Sequence, residues 1–335
     1  MKQKVILDTD MVEIFDDGVA MMMLQLDQKV ELLGVTTVVG NSWVADGTAW
    51  GLRQLEAIKA THIPFAMGVT RPLRPGRHET MSLERPLFGI GHDAWAGSYT
   101  YPEPASWYSY YKEHYGAEPT AKPIDQHAVD FIIEQVKKFP GEITIAAIGP
   151  CTNLALAVRK APEIVPLVKR IIYMGGSFFR QGNTTPAAEF NWWADPEAVK
   201  IVVRSPFKEQ IVVGLDVCRK ITFKKPEYEK IRSIVKNPII TEMLNRNVLV
   251  TLYGENADYT HYIWDVIVAA ILIDPTLITE EVTMPIDVCT DYGHAYGQSM
   301  AYERQAPIGA QKARIIRTVD RDRLWALIYD YCAKF

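Results

Sequence analysis

The chain has 335 residues, 48% of them hydrophobic and 23% charged, and a net charge of −4. That is an ordinary globular composition; it excludes a disordered or fibrous chain, and the lack of any basic block argues against a nucleic-acid surface. Four scattered cysteines (Cys151, Cys218, Cys289 and Cys332) have no CxxC spacing, so neither a disulfide framework nor a zinc site is suggested, and a reducing compartment fits.

Val5–Leu7 is a short apolar run that reads as a buried strand. Asp8 and Asp10 stand at its carboxyl end, and Asp16 and Asp17 open a helical pattern reaching about Gln28. This strand begins at about Lys4, which leaves no room for a signal peptide, and no apolar run has bilayer length. A cytoplasmic location without membrane contact is therefore expected. A second strand over Leu32–Val39 ends at Gly40-Asn41, and a helix containing Trp50, Leu52 and Leu55 follows. Pro64–Met67 reads as a short third strand. Residues 70–123 are dense in Pro, Gly, Tyr and Trp with weak helical periodicity, the composition of a functional insertion such as a lid or binding loop.

Alternation resumes with a helix at about Gln126–Lys138 and a strand at Ile143–Ile148 that runs into Gly149-Pro150. A helix over 152–160, strands at Arg170–Met174 and Gln210–Val213, and helices through about residue 274 come next. Strands near 282–289 and 313–319 precede a C-terminal helix. Strand–helix alternation implies an α/β fold: a single domain with a mostly parallel central sheet flanked by helices. No internal repeat or linker divides residues 1–335.

Four carboxylates within ten residues repel one another unless a cation sits among them. In open α/β sheets ligands bind at the carboxyl ends of strands, so the cluster reads as a site for a hard divalent cation held by oxygen. The loop after Gly175-Gly176 carries Asn183, Glu189 and Asn191, whose amides and carboxylate suit a polyhydroxylated ligand such as a sugar. Asp265 begins the apolar run VIVAAILIDP, where a carboxylate is costly unless paired, capping or bound to metal.

The segments ILDTD…DD, LLGVTTVVGN, IAAIGPCTNLALA, YMGGSF…GN, AEFNWWADPEA, GLDV and WD…AAILIDP together resemble the inosine–uridine nucleoside hydrolase family, in the family's order. The resemblance implies a Rossmann-like nucleoside hydrolase fold and a calcium ion held by Asp10, Asp17, Asp265 and the backbone carbonyl of Ile148. It implies that Asp16 and Asn41 hold ribose hydroxyls, that Asn183, Glu189 and Asn191 hold the rest of the sugar, and that Asp8 supports from behind. The implied reaction is hydrolysis of a ribonucleoside to ribose and free base, with a calcium-bound water and Asp10 as general base. A homodimer or homotetramer is implied as well.

The chain departs from the family in three places. Five residues, Met11–Phe15, separate DTD from DD, with Val12 and Ile14 where the long form of this loop usually has Gly and Asp. Trp264 replaces the histidine often found before the last ligand Asp, as in purine-preferring members, which implies a purine preference. The insertion has its own GIGHDAWAG, whose His92 and Trp95 are expected to line the base pocket. Two rivals compete with this reading. A haloacid-dehalogenase-like phosphatase also places DxD after its first strand, but its Gly-Thr-Leu and later GDxxxD are missing. A non-catalytic nucleoside- or sugar-binding protein on the same fold would bind calcium without releasing base.

Overall fold

A computed structural model describes residues 2–88 and 96–335. The chain opens with β1 (Gln3–Thr9), α1 (Asp17–Leu26), β2 (Val30–Thr37), α2 (Val44–Ala57) and β3 (Phe65–Ala66). The insertion follows, with α3 (Arg77–Phe88), a 3-10 turn at Gly97–Thr100 and α4 (Trp107–Tyr115). Then come α5 (Ala128–Lys138), β4 (Ile143–Ala147), α6 (Thr152–Lys160), β5 (Arg170–Met174), α7 (Phe190–Ala194), α8 (Pro196–Val203) and β6 (Gln210–Val213). The last third holds α9 (Leu215–Cys218), β7 (Thr222–Phe223), α10 (Lys225–Ile234), α11 (Pro238–Arg246), α12 (Val248–Glu255) and β8 (His261–Tyr262). It closes with α13 (Asp265–Ile273), β9 (Ile278–Val288), β10 (Ser299–Ala301), β11 (Gln311–Val319) and α14 (Arg321–Cys332).

Nine strands form one sheet in the order β10-β9-β11-β6-β5-β4-β1-β2-β3. The run from β11 to β3 is parallel, and only β9 and β10 at one edge are antiparallel. This is the expected single α/β domain with a mostly parallel sheet. The central strands are apolar on both faces because helices cover both; β4 is buried along its whole length. One core packs α1, α2 and α13 on one face, and a second packs α5, α6 and α8 on the other.

From β1 the chain winds outward to β2 and β3, then returns to lay β4, β5 and β6 on the other side. The order therefore reverses between β1 and β4, which opens a crevice beyond their carboxyl ends. Asp10 follows β1 and Ile148 follows β4 at this point.

The described residues between 70 and 123 are more regular than the composition of that stretch suggests. Ser106 caps α4 by accepting from the Ser109 N–H at 3.1 Å, and Gly116 ends it in the left-handed conformation at φ +60°. Only Tyr111 of α4 is buried, so no apolar stripe marks the helix in the sequence. α3 is docked by a buried cation instead: Arg77 pairs with Glu84 and donates to the Trp193 carbonyl at 2.9 Å.

Candidate active site

Five carboxylates converge where the strand order reverses. Asp8, still on β1, accepts from the Thr36 hydroxyl at 2.5 Å and the Asn153 amide at 2.7 Å. Burial pushes its carboxyl up to about 6 against those two hydrogen bonds. Asp10 is held through Oδ2 by the Asn41 backbone N–H at 2.6 Å. Burial first, and then the Asp17 charge, push its carboxyl well above the usual range.

Gly40 and Gly149 flank Asp10 closely. A methyl group on Gly40 would stand 2.2 Å from Asp10 Oδ2, and one on Gly149 would stand 2.7 Å from the Asp10 nitrogen. Glycine is required here by close approach rather than by an unusual φ.

Asp16 and Asp17 open α1, and Asp265 opens α13. Asp16 Oδ2 accepts from the backbone N–H groups of Trp264 at 2.6 Å and Val266 at 3.3 Å, which ties the two helix starts together. Asp17 Oδ1 accepts from the Thr9 hydroxyl at 2.5 Å, and burial plus the Asp16 charge raise its carboxyl to about 7. Asp265 is pushed well above its ordinary value by burial and then by the charges of Asp16, Asp17 and Asp10. One carboxylate oxygen from each of Asp16, Asp17 and Asp265 lies within 4.8 Å of the others. The expected ligand set has Asp10 where this tight trio has Asp16.

On the β5 side, Glu189 accepts from the backbone N–H groups of Asn191 (2.8 Å), Gly176 (2.9 Å) and Trp192 (3.1 Å). Burial still raises it to about 7. The Asn191 amide donates to the carbonyls of Ile148 at 2.9 Å and Met174 at 3.1 Å, so the Ile148 carbonyl already accepts one hydrogen bond. Asn183 Oδ1 accepts from the Phe190 N–H at 2.9 Å, which shapes the loop that carries these groups.

Asp8 Oδ2, Asp10 Oδ1, Asp17 Oδ2, Asp265 Oδ1 and Asn191 Oδ1 are buried without any hydrogen-bond partner. Buried oxygens are otherwise almost always satisfied, so such a group of them is a cost that a bound partner must offset. An all-oxygen donor set of this kind fits a hard cation such as calcium.

The five residues between the aspartate pairs are pinned from three sides. Glu13 accepts from Arg246 at 2.6 and 2.9 Å and from the Tyr115 hydroxyl at 2.6 Å. The Ile14 N–H donates to Gln54 Oε1 at 2.8 Å. The left-handed residue of this loop is Ile14, at φ +65°, and not Val12. A β-branched residue rarely adopts that conformation, so Ile14 is held under strain.

Trp264 is half-buried, with its ring edge-on to His261 at 4.9 Å. His92 and Trp95 lie outside the described residues. The neighbouring turn does reach the site: the Ser98 N–H and hydroxyl both donate to the Gly40 carbonyl at 2.9 Å. Sequence reasoning missed Asn153, which also donates to the Thr37 carbonyl and accepts from the Val69 N–H, both at 2.9 Å. The signal available was an amide in the first turn of a helix whose surroundings are apolar.

Residues 5–326 match the family profile described as inosine-uridine preferring nucleoside hydrolase. A probable uridine nucleosidase 1 of Oryza sativa subsp. japonica is 32% identical over 232 residues. That match covers 69% of this chain and 64% of the relative, so the chain spans just under two thirds of that protein's length. The inosine-uridine preferring nucleoside hydrolase of Leishmania major is 29% identical over 331 residues, 98% of this chain and 97% of the relative. Among solved structures, a plant nucleoside hydrolase superposes with a TM-score of 0.80 at 28% identity, covering 99% of each chain.

Proposed function

The chain belongs to the inosine-uridine preferring nucleoside hydrolase family, and on that premise we propose that it hydrolyses the N-glycosidic bond of ribonucleosides with the help of one calcium ion. The observation that carries this reading is the group of unpartnered buried oxygens on Asp10, Asp17, Asp265 and Asn191, gathered beyond β1 and β4. Asp10, Asp17, Asp265 and the Ile148 carbonyl would hold the ion, with Asp16 beside them. When bound, calcium orients the attacking water and lowers its pKa.

The chain's own groups do the rest. Asp10 Oδ2 is fixed by the Asn41 N–H, which leaves Oδ1 to take the proton of the water as general base. Cleavage passes through an oxocarbenium-like state, and the carboxylates around the ribose stabilise its positive charge. Asp16, Asn41, Asn183, Glu189 and Asn191 hold the sugar hydroxyls. Asn191 offers an unpaired buried oxygen for this, and the Glu189 carboxylate oxygens retain lone pairs beyond their backbone bonds.

Purine ribonucleosides are the proposed preference. Support comes from Trp264, whose backbone sits on Asp16 and whose ring can stack on a base; stacking contributes roughly 1–3 kcal/mol and grows with ring area. The relatives' names point to uridine as well, so the base panel is the test. Release of reducing sugar from inosine, adenosine, guanosine, uridine and cytidine, with and without EDTA, should be metal-dependent and fastest on a purine. Calcium binding with no release of base from any of the five would identify a binding protein instead.

A further inference from the structure

The loop between Asp10 and Asp16 carries a carboxylate with no part in the chemistry above. Glu13 sits in the middle of that loop, and its side chain is only 14% exposed. Its partners come from far along the chain. Arg246, the last residue of α11, donates to it from Nε at 2.9 Å and from Nη2 at 2.6 Å, across 233 positions of sequence. The hydroxyl of Tyr115, the last residue of α4, donates at 2.6 Å across 102 positions. The Arg246 and Arg53 guanidiniums lie over the Tyr115 ring at 5.0 and 5.2 Å, so the tyrosine is itself held from α11 and α2. Burial would raise the Glu13 carboxyl, but the bonds from His114, Arg246 and Tyr115 outweigh it and hold the carboxyl below its ordinary value.

A clamp of this kind has something to resist. Ile14, the next residue, is buried in the left-handed region at φ +65°. Such a backbone persists only where its surroundings over-determine it. Buried Gln54 of α2 supplies part of that support, accepting from the Ile14 N–H at 2.8 Å and donating to the Val12 carbonyl at 3.4 Å. The loop also joins two carboxylates of like charge, and the Asp17 charge is felt at Asp10. Each presents a buried oxygen with no partner, Oδ1 of Asp10 and Oδ2 of Asp17. Repulsion between them favours a looser loop, and the charged clamp on Glu13 opposes it.

We propose that Glu13 is a positioning residue for the cation site: held by Arg246 and Tyr115, it keeps the Met11–Phe15 loop closed so that Asp10 and Asp17 can share one ion. This rests on the calcium reading above. The insertion reaches the site through α4 as a brace, from outside the cleft. Without the Glu13 carboxylate, Arg246 has one carboxylate left among the described residues, Glu242 at 3.6 Å, which is 71% exposed. The loop is then free to relax, and binding an ion must draw the aspartates back together at the expense of its affinity. Saturating calcium restores the arrangement, so the loss falls on calcium affinity and not on kcat.

The test titrates calcium into the EDTA-treated wild type, Glu13→Ala, Glu13→Gln and Tyr115→Phe by calorimetry, with melting temperatures alongside. Glu13→Ala should raise the calcium Kd by about 10-fold, the lower end of what a lost outer support costs a metal site. Tyr115→Phe removes one hydrogen bond and should raise it by about 3-fold. Glu13→Gln still accepts from both partners and should recover part of the affinity. These two milder variants carry the test if Glu13→Ala does not fold. Inosine turnover by Glu13→Ala should fall at limiting calcium and return to within about 3-fold of wild type at saturating calcium. Arg204→Ala is the control: it breaks the pair with Asp287 of β9, so it should lower the melting temperature and leave the calcium Kd unchanged. A wild-type Kd in all three variants at Glu13 and Tyr115, whatever their melting temperatures, would mark the clamp as merely structural and overturn the proposal. A Kd raised as much by Arg204→Ala would overturn it too, because the effect would then be general destabilisation. A wild type that binds no calcium would refute the calcium reading and this inference with it. A calcium Kd that responds as expected in a protein that cleaves no ribonucleoside would refute the hydrolase reading and leave the clamp standing.

Discussion

Gly40→Ala tests how tightly Asp10 is held. The added methyl would lie 2.2 Å from Asp10 Oδ2 and 2.8 Å from both Cβ and Cγ of Asp10. Ordinary carbon contacts are about 3.5–4.0 Å, so relief needs a shift on the order of 1 Å. Rotating the carboxylate moves Oδ2 but not Cβ, and retreat of the backbone is limited by Gly149, which already approaches the Asp10 nitrogen. The whole residue must move, and Oδ2 then loses the Asn41 N–H. Overpacking of this kind costs about 1–3 kcal/mol, or roughly 2–4 °C in melting temperature for a chain this long. A base displaced by about 1 Å should cost on the order of 10² in kcat. Steady-state kinetics and thermal melts of Gly40→Ala measure both effects. Gly254→Ala is the control, because its methyl meets nothing within 4 Å and it sits in α12, where alanine should be tolerated or stabilising. A Gly40→Ala protein with wild-type kcat would refute the argument that close packing positions Asp10.

Asp10→Asn keeps the shape and removes the base; kcat should fall by about 10²–10⁴, and a variant that retains most of its rate would mean another group deprotonates the water. Calcium at about 100 times its Kd should stabilise the EDTA-treated protein by about 2.7 kcal/mol, read as a rise of roughly 4 °C in melting temperature, whereas magnesium should give less. A 2′-deoxynucleoside lacks a hydroxyl that the proposed site would hold, so 2′-deoxyinosine should be turned over far more slowly than inosine; equal rates would remove that part of the proposal. Asp195 caps α8 and accepts from the Thr152 hydroxyl at 2.7 Å, and burial raises its carboxyl to about 6. Because the folded value is raised, its contribution to stability is full below pH 4 and is lost as pH rises through 6, amounting to roughly 3 kcal/mol. The stability gap between wild type and Asp195→Asn should shrink by about that amount between pH 4 and pH 7 in urea titrations at fixed calcium, and a constant gap would contradict it.

Much of this architecture is written in short-range patterns. The apolar runs at 143–147, 171–174 and 210–213 lie in strands and are buried throughout, and each is followed by Gly or Asp residues that mark its carboxyl end. Asp8, Asp10, Asp16 and Asp17 were legible as a cluster because charge repulsion follows from spacing alone. Their division of labour was not legible. Which aspartates lie closest to Asp17 and Asp265 depends on how α1 and α13 meet, and the Asp16 bonds to Trp264 and Val266 set Asp16 beside them. Asn153 was illegible for a similar reason: it reaches Asp8 across 145 positions of sequence, through the pairing of β1 with β4. α4 escaped notice because its aromatic residues lie on several sides and only one is buried. β10, three residues long, carries too little pattern to stand out.

The most direct test of the central claim is to incubate the EDTA-treated, calcium-reloaded protein with inosine in water enriched in ¹⁸O and to analyse both products by mass spectrometry. Hydrolysis by an activated water predicts equimolar ribose and hypoxanthine, the heavy oxygen at C1 of the ribose and none in the base, and no product in the EDTA-treated sample before calcium is restored. Intact inosine that binds but is never cleaved, or equal release of base without calcium, would contradict the account.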